Sequence, residues 1–138
     1  GPLRGALTAL ARAEGVTQRV RFLGWRNDVP ALLAAADALV CPSRIEPLGN
    51  VVIEAWAHGR PVVAAASAGP KSLIEHGKSG LLVAVDDPVA LGDALHNVLR
   101  DKDLASRLAA GGRAVYEHSF TEATVVRRYL DFFSQVAS

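Results

Sequence analysis

The chain has 138 residues and a mass of 14.5 kDa, enough for one domain with a real core and too little for a second of ordinary size. Half of it is apolar, which argues against disorder. Its 15 basic and 14 acidic side chains nearly cancel, with no like-charged run longer than Arg127-Arg128, so nucleic acid held by phosphate neutralisation is not expected.

In chain order, residues 5–14 read as a helix stopped by Gly15. Residues 19–24 alternate polar and apolar and read as a first strand. Asp28 suits an N-cap for a short helix over 29–36, with Pro30 tolerated in its first turn. Residues 38–41 form a second strand closed by Pro42, and 50–58 a helix ended by Gly59. A third strand covers 61–66, a short helix 70–76, and a fourth strand 80–85. A helix from Asp87 or Pro88 to about Arg100 follows, then a helical segment over 101–113. A last helix, capped by Thr121, runs to about Val136. Val125, Val126, Tyr129, Leu130, Phe132, Phe133 and Val136 give that helix a broad apolar stripe, suited to a core or an interdomain contact.

Short β-branched strands alternating with helices predict an α/β domain built on a Rossmann-like, doubly wound parallel sheet. The sheet looks incomplete, because the chain opens on a helix and Gly1-Pro2-Leu3-Arg4 reads as the turn after an earlier strand. It contains no Met, so it reads as processed or as a piece of a longer protein. Cys41, the single cysteine, sits in an apolar run and reads as a buried core residue of a reducing compartment. No stretch reaches the roughly 18 apolar residues of a membrane span, and the N-terminus is not a signal peptide. Arg outnumbers Lys 12 to 3, which suggests a GC-rich, bacterial coding sequence.

The chemistry concentrates between Pro42 and Ala64. In an open α/β sheet, ligands bind beyond the carboxyl ends of the strands, and residues 42–49 occupy such an end. Glu46 stands beside Pro47 and Gly49, where the backbone is first stiffened and then freed. Asn50 suits an N-cap, leaving the amides of Val51, Val52 and Ile53 as an anion site for a phosphate. Glu54 lies among apolar neighbours and is expected to be buried, hence in need of donors such as ribose hydroxyls. It lies about 6 Å along the helix from Asn50, roughly the separation of a diphosphate from its ribose. The plainer alternatives are that Glu54 pairs with Arg60 and that Glu46 is a solvated loop acid.

This stretch resembles the signature of the family 4 retaining glycosyltransferases, a Glu-x7-Glu motif met here by Glu46 and Glu54. Pro42-Ser43 precedes it, Glu46-Pro47-Leu48-Gly49 opens it, and residues 54–64 (Glu-Ala-Trp-Ala-His-Gly-Arg-Pro-Val-Val-Ala) close it. Further blocks match in order: Phe22-Leu23-Gly24, Ala35-Ala36-Asp37, residues 77–83 and Phe120-Thr121, so the likeness covers nearly the whole chain. The resemblance implies a GT-B enzyme, with two Rossmann-like domains and the active site in the cleft between them. Residues 1–138 would be a partial C-terminal, donor-binding domain, and the acceptor-binding domain is absent.

By the same resemblance Glu46 is catalytic, lying beside the donor sugar and orienting its hydroxyls. Leu48, Gly49, Asn50 and Val51 contact sugar and diphosphate through the backbone, and Glu54 holds the ribose hydroxyls. Leu23, Gly24 and Arg26 line the base pocket, and Ser43 and Arg44 lie near the donor. The implied reaction is sugar transfer with retention, from a nucleotide-diphosphate donor (UDP or GDP favoured) to a glycan or lipid-linked acceptor. No cofactor and no metal are implied, because helix amides and basic side chains offset the leaving diphosphate. The wording of residues 46–57 is similar to bacterial core-oligosaccharide transferases, which implies work in envelope polysaccharide or lipopolysaccharide assembly. The implied location is the cytoplasm or the inner face of the inner membrane, with membrane contact through the missing part.

Two departures stand out. The family's diphosphate-binding Arg and Lys would lie upstream of residue 1, so this chain by itself is expected to be inactive. Asn50 often has an apolar counterpart in the family. Alternatives are another GT-B enzyme, such as a sugar-nucleotide epimerase or a phosphorylase, and a non-catalytic nucleotide-binding module. Residues 72–79 nearly spell a P-loop, but they end a helix and lead into a strand, the reverse of that motif's order. His58, His76, His96 and His118 lack metal-ligand spacing, no Gly-x-Ser-x-Gly elbow occurs, and Lys71 reads as solvated or as reaching a phosphate or acceptor.

Overall fold

The structure, a computed structural model, describes residues 1–137. Helix α1 (Arg4–Ala13) leads through a 3-10 turn at Thr17–Arg19 to helix α2 (Val29–Ala35). Strand β1 (Leu39–Cys41), helix α3 (Asn50–Ala57), strand β2 (Val62–Ala65), helix α4 (Ala68–Leu73) and strand β3 (Leu81–Val83) follow. Helices α5 (Pro88–Arg100), α6 (Lys102–Ser119) and α7 (Glu122–Val136) complete the described chain.

The three strands pair in parallel in the order β1-β2-β3, with Leu39 beside Val62 and Val63 beside Leu81. Strand residues alternate between faces, so each face of β2 needs its own cover. Val62 and Ala64 pack with Val52, Ala55 and Trp56 of α3 and with Ile74. Val63 packs with Ala94 and Val98 of α5 and Leu108 of α6 on the other face. Helices thus cover both faces, as the alternating sequence predicts. Cys41 is buried against the first of these clusters, as expected.

The expected strand at 19–24 does not form, so the sheet has three strands among the described residues rather than four. Val20 is extended at φ −102°, ψ 129°, but a strand exists only through its ladder, and no described strand lies alongside it. Val20, Phe22 and Leu23 are left exposed. Other boundaries shift by less. The helix expected over 70–76 is α4, which starts earlier and stops at Leu73, and α6 continues beyond Arg113 to Ser119. Asp28 stands at the N-cap of α2 without capping it, because its carboxylate is engaged by the Arg26 guanidinium. Asp87, Asp101 and Thr121 do cap α5, α6 and α7, accepting from the amides of Ala90, Leu104 and Thr124.

Trp56 is wholly buried, and its Nε1–H donates to the Ser79 carbonyl at 2.9 Å. Helix α6 approaches it closely enough that a Cβ on Gly112 would stand 2.1 Å from Trp56 Cδ1. By contrast α7 buries no residue, and its stripe of Val126, Tyr129, Leu130, Phe132, Phe133 and Val136 is exposed.

Two helical glycines therefore carry opposite predictions. Gly112→Ala is expected to lower stability by roughly 1–3 kcal/mol through overpacking against Trp56. Gly92→Ala in α5, where a Cβ meets nothing within 4 Å, is expected to raise it by about 0.5–1 kcal/mol. Denaturant midpoints of the two variants check both signs.

Candidate active site

Parallel pairing puts the carboxyl ends of β1, β2 and β3 on one side of the sheet. The loop 42–49 leaves β1 there and turns into α3. Two neighbours hold it. The Gly69 amide at the start of α4 donates to the Glu46 carbonyl at 2.6 Å. The Arg44 guanidinium donates to Asp86 in the β3–α5 turn, which raises the Arg44 pKa further and keeps the group charged. Asp86 adopts φ +63°, an uncommon left-handed conformation for a residue with a side chain, though one that Asp tolerates better than most.

Glu46 is half-buried, and its Oε1 accepts from the Gly49 amide at 3.1 Å. Gly49, at φ +77°, is the N-cap of α3, and its carbonyl accepts from Val52 at 2.9 Å and Ile53 at 3.4 Å. Asn50 is therefore the first helical residue and not the cap. The left-handed turn at Gly49 completes the change of direction one residue earlier. Val52 and Ile53 are likewise not free. The open amides are those of Asn50 and Val51, which make no backbone hydrogen bond among the described residues.

Glu54 is exposed, contrary to expectation. The buried face of α3 is drawn by Val52, Ala55 and Trp56, and at 3.6 residues per turn Glu54 falls on the opposite side. Asn50, four residues earlier, shares that outer face. The Glu54 carboxylate has no partner among the described residues. Arg60 instead donates to the Ala34 carbonyl at 2.8 Å and takes no part in pairing it.

The remaining expected residues fall into two cavities and one loop. Arg44 enters a cavity of about 610 Å³ at the strand ends, with Pro42, Ala65, Val83, Asp86 and Leu91. Leu23 and Gly24 line a cavity of about 560 Å³ against Leu3, Arg4 and Leu7 of the α1 region. Arg26 lies just beyond, tied to Asp28, and Ser43 accepts from the buried Cys41 thiol at 3.7 Å. Leu48 is exposed beside Gly49. Sequence reading missed Asp86 and Gly69. Neither belongs to the Glu-x7-Glu stretch, and only the tertiary contacts bring them to it.

The P-loop-like stretch is a closed turn. Ser79 Oγ accepts from the Glu75 amide at 3.0 Å, and Lys78 pairs with Glu75. His76 Nδ1 accepts from the Leu82 amide, a structural role. No group of three His, Cys, Asp or Glu residues is placed to hold a metal ion among the described residues. Among those residues no helix is long and apolar enough to cross a membrane.

Comparison with known proteins gives one consistent result. The family model "Glycosyl transferases group 1" matches residues 1–101. The lipopolysaccharide core biosynthesis glycosyltransferase LpsE of Rhizobium meliloti (strain 1021) is 38% identical over 134 residues. That match takes in 97% of this chain and 39% of LpsE, so the chain spans about two fifths of that relative. Among solved structures, HepE of Anabaena in complex with UDP and glucose superposes with a TM-score of 0.88 at 30% identity, over 95% of this chain and 36% of that one. The sucrose-phosphate synthase of Thermosynechococcus elongatus superposes with a TM-score of 0.91 at 31% identity, over all of this chain and 36% of that one. The parallel α/β sheet matches the C-terminal domains of GT-B glycosyltransferases, and the chain belongs to the group 1 glycosyltransferase family.

Proposed function

We propose that the protein is a retaining glycosyltransferase of family 4 and that this chain is part of its donor-binding domain. The observation that carries the proposal is the start of α3. There Glu46 is held by the Gly49 amide, the amides of Asn50 and Val51 stand open, and the Glu54 carboxylate is unpaired on the same outer face. A donor diphosphate fits the open amides and the positive end of the helix dipole. Glu54 then lies about 6 Å along the helix, where an ionised carboxylate accepts from ribose hydroxyls. Glu46, an acceptor-only group when ionised, orients the hydroxyls of the sugar.

In transfer the bond from the anomeric carbon to the diphosphate breaks, a bond to the acceptor hydroxyl oxygen forms, and the hydroxyl proton passes to the leaving diphosphate. Negative charge grows on the leaving diphosphate, and fixed amides aimed at it lower the barrier without reorganising. Arg44 at the strand ends adds a permanent positive charge nearby, with Ser43 beside it. Leu23, Gly24 and Arg26 face the base, and UDP is favoured over GDP because HepE, a structural neighbour, was solved with UDP. The acceptor, a glycan or lipid-linked glycan of the bacterial envelope, is bound by a second domain that this chain does not contain. The similarity to LpsE supports lipopolysaccharide core assembly. The location that goes with this reading is the cytoplasm or the inner face of the inner membrane. The exposed stripe of α7 faces that second domain.

Titration of the full-length protein with UDP, GDP and ADP tests the donor site. One nucleotide is expected to bind, and Glu54→Ala is expected to weaken it by roughly 10- to 100-fold, the weight of hydrogen bonds to a charged group. Absence of binding by all three would sink the proposal.

Glu46→Gln separates binding from chemistry. Turnover is expected to fall by about 100-fold or more while nucleoside-diphosphate affinity stays within about threefold. The anomeric configuration of the product, read by NMR, tests retention directly, and an inverted product would refute it. The isolated chain is expected to transfer no sugar.

A further inference from the structure

We propose that Gly69 is a positioning residue for Glu46, resting on the role given to Glu46 above. Gly69 is the second residue of α4 and is buried. Its backbone is not left-handed, so no turn demands a glycine there. Pro70 follows and disfavours a side chain at 69 in the helical region, so one reason for glycine is local. A second reason lies outside the helix.

It lies in the loop 42–49. A Cβ on Gly69 would stand 2.5 Å from the Gly49 nitrogen, 2.7 Å from the Glu46 carbonyl oxygen and 2.7 Å from the Leu48 carbonyl carbon. All three are backbone atoms, so no rotamer change makes room. Gly49 faces it across the same contact: a Cβ there would meet the tip of the Leu73 side chain at 2.8 Å, the Gly69 carbonyl carbon at 3.2 Å and the Pro70 nitrogen at 3.3 Å, and its φ of +77° already favours glycine. The bare face of Gly69 also lets its amide reach the Glu46 carbonyl at 2.6 Å. The tighter of the two approaches is at Gly69, which thus limits the distance between α4 and the loop, and with it the place of Glu46 and of the first amides of α3. A methyl group at 69 pushes residues 46–49 outward, and a shift of about 1 Å at a reacting centre can cost roughly 100-fold in rate.

The test compares Gly69→Ala, Val98→Ala and Glu46→Gln in the full-length protein. Val98→Ala opens the core on the face of the sheet away from α3 and the loop, and controls for lost stability. Gly69→Ala is expected to lower kcat per folded molecule by roughly 10- to 100-fold, while Val98→Ala keeps kcat within about twofold. Leu48→Ala in the Gly69→Ala background is expected to restore nothing, since the clash is with backbone. A Gly69→Ala enzyme with wild-type kcat beside an inactive Glu46→Gln enzyme overturns the positioning role and leaves the role of Glu46 standing. A wild type that binds no nucleotide overturns both. If Gly69→Ala does not fold, amide exchange in the wild type decides. Protection of the Gly69 amide is expected to rise when the nucleotide selected by the titration binds, and unchanged protection overturns the proposal.

Discussion

The arrangement of the site depends on how Trp56 is buried. Its indole fills the space between the sheet and α6, and its single donor is satisfied by the Ser79 carbonyl. A large aromatic gives its full hydrophobic contribution only if its N–H finds a partner and its faces find contact. Gly112 supplies the close contact and the turn after α4 supplies the acceptor. With Trp56 fixed, Val52 and Ala55 are fixed on the same side of α3, and the opposite side must face outward. That constraint places Asn50 and Glu54 in the open, where a ligand can reach them.

The other end of α3 is governed by backbone. Gly49 turns the chain in a left-handed conformation, and Gly69 lets the preceding loop lie against α4. Close approach of backbone to backbone leaves little slack, because packed interiors yield only at a cost. The Glu46 carboxylate accepts from the amide of Gly49, the N-cap residue itself, and leaves the first-turn amides of Asn50 and Val51 open. A carboxylate held by a structural hydrogen bond is already ordered, which reduces the ordering needed if a ligand binds beside it.

Electrostatically the site is mixed. The acids Glu46 and Glu54 flank open amides, and the nearby positive charge of Arg44 is partly answered by Asp86. Such a pair is exposed and contributes little to stability, so its weight is in placing Arg44 at the strand ends. Away from the site, α7 presents six large apolar side chains to solvent, with Tyr129 and Phe133 stacked at 6.3 Å. A stripe of that kind marks a surface made to be covered.

Much of this was legible in the residues themselves. The alternation of β-branched runs with helical stretches determined a parallel α/β sheet, because each run had the length and composition of a strand buried on both faces. Asp87, Asp101 and Thr121 marked their helix starts through the local chemistry of capping. The ordered motif blocks around Glu46 and Glu54 pointed to a glycosyltransferase, as the match to the group 1 family bears out. Tertiary structure decided what depends on partners distant in sequence. Residues 19–24 have the pattern of a strand, yet no described neighbour offers a ladder, so they stay unpaired. Apolar neighbours in sequence suggested that Glu54 is buried, but burial on a helix follows angle, and α3 turns Glu54 away from Trp56. Asp28 could have capped α2, yet Arg26 took its carboxylate. Beyond its place before Pro70, Gly69 carries no signal in the sequence, since the backbone atoms that crowd a side chain there belong to a loop some twenty residues earlier, brought against it only by the fold.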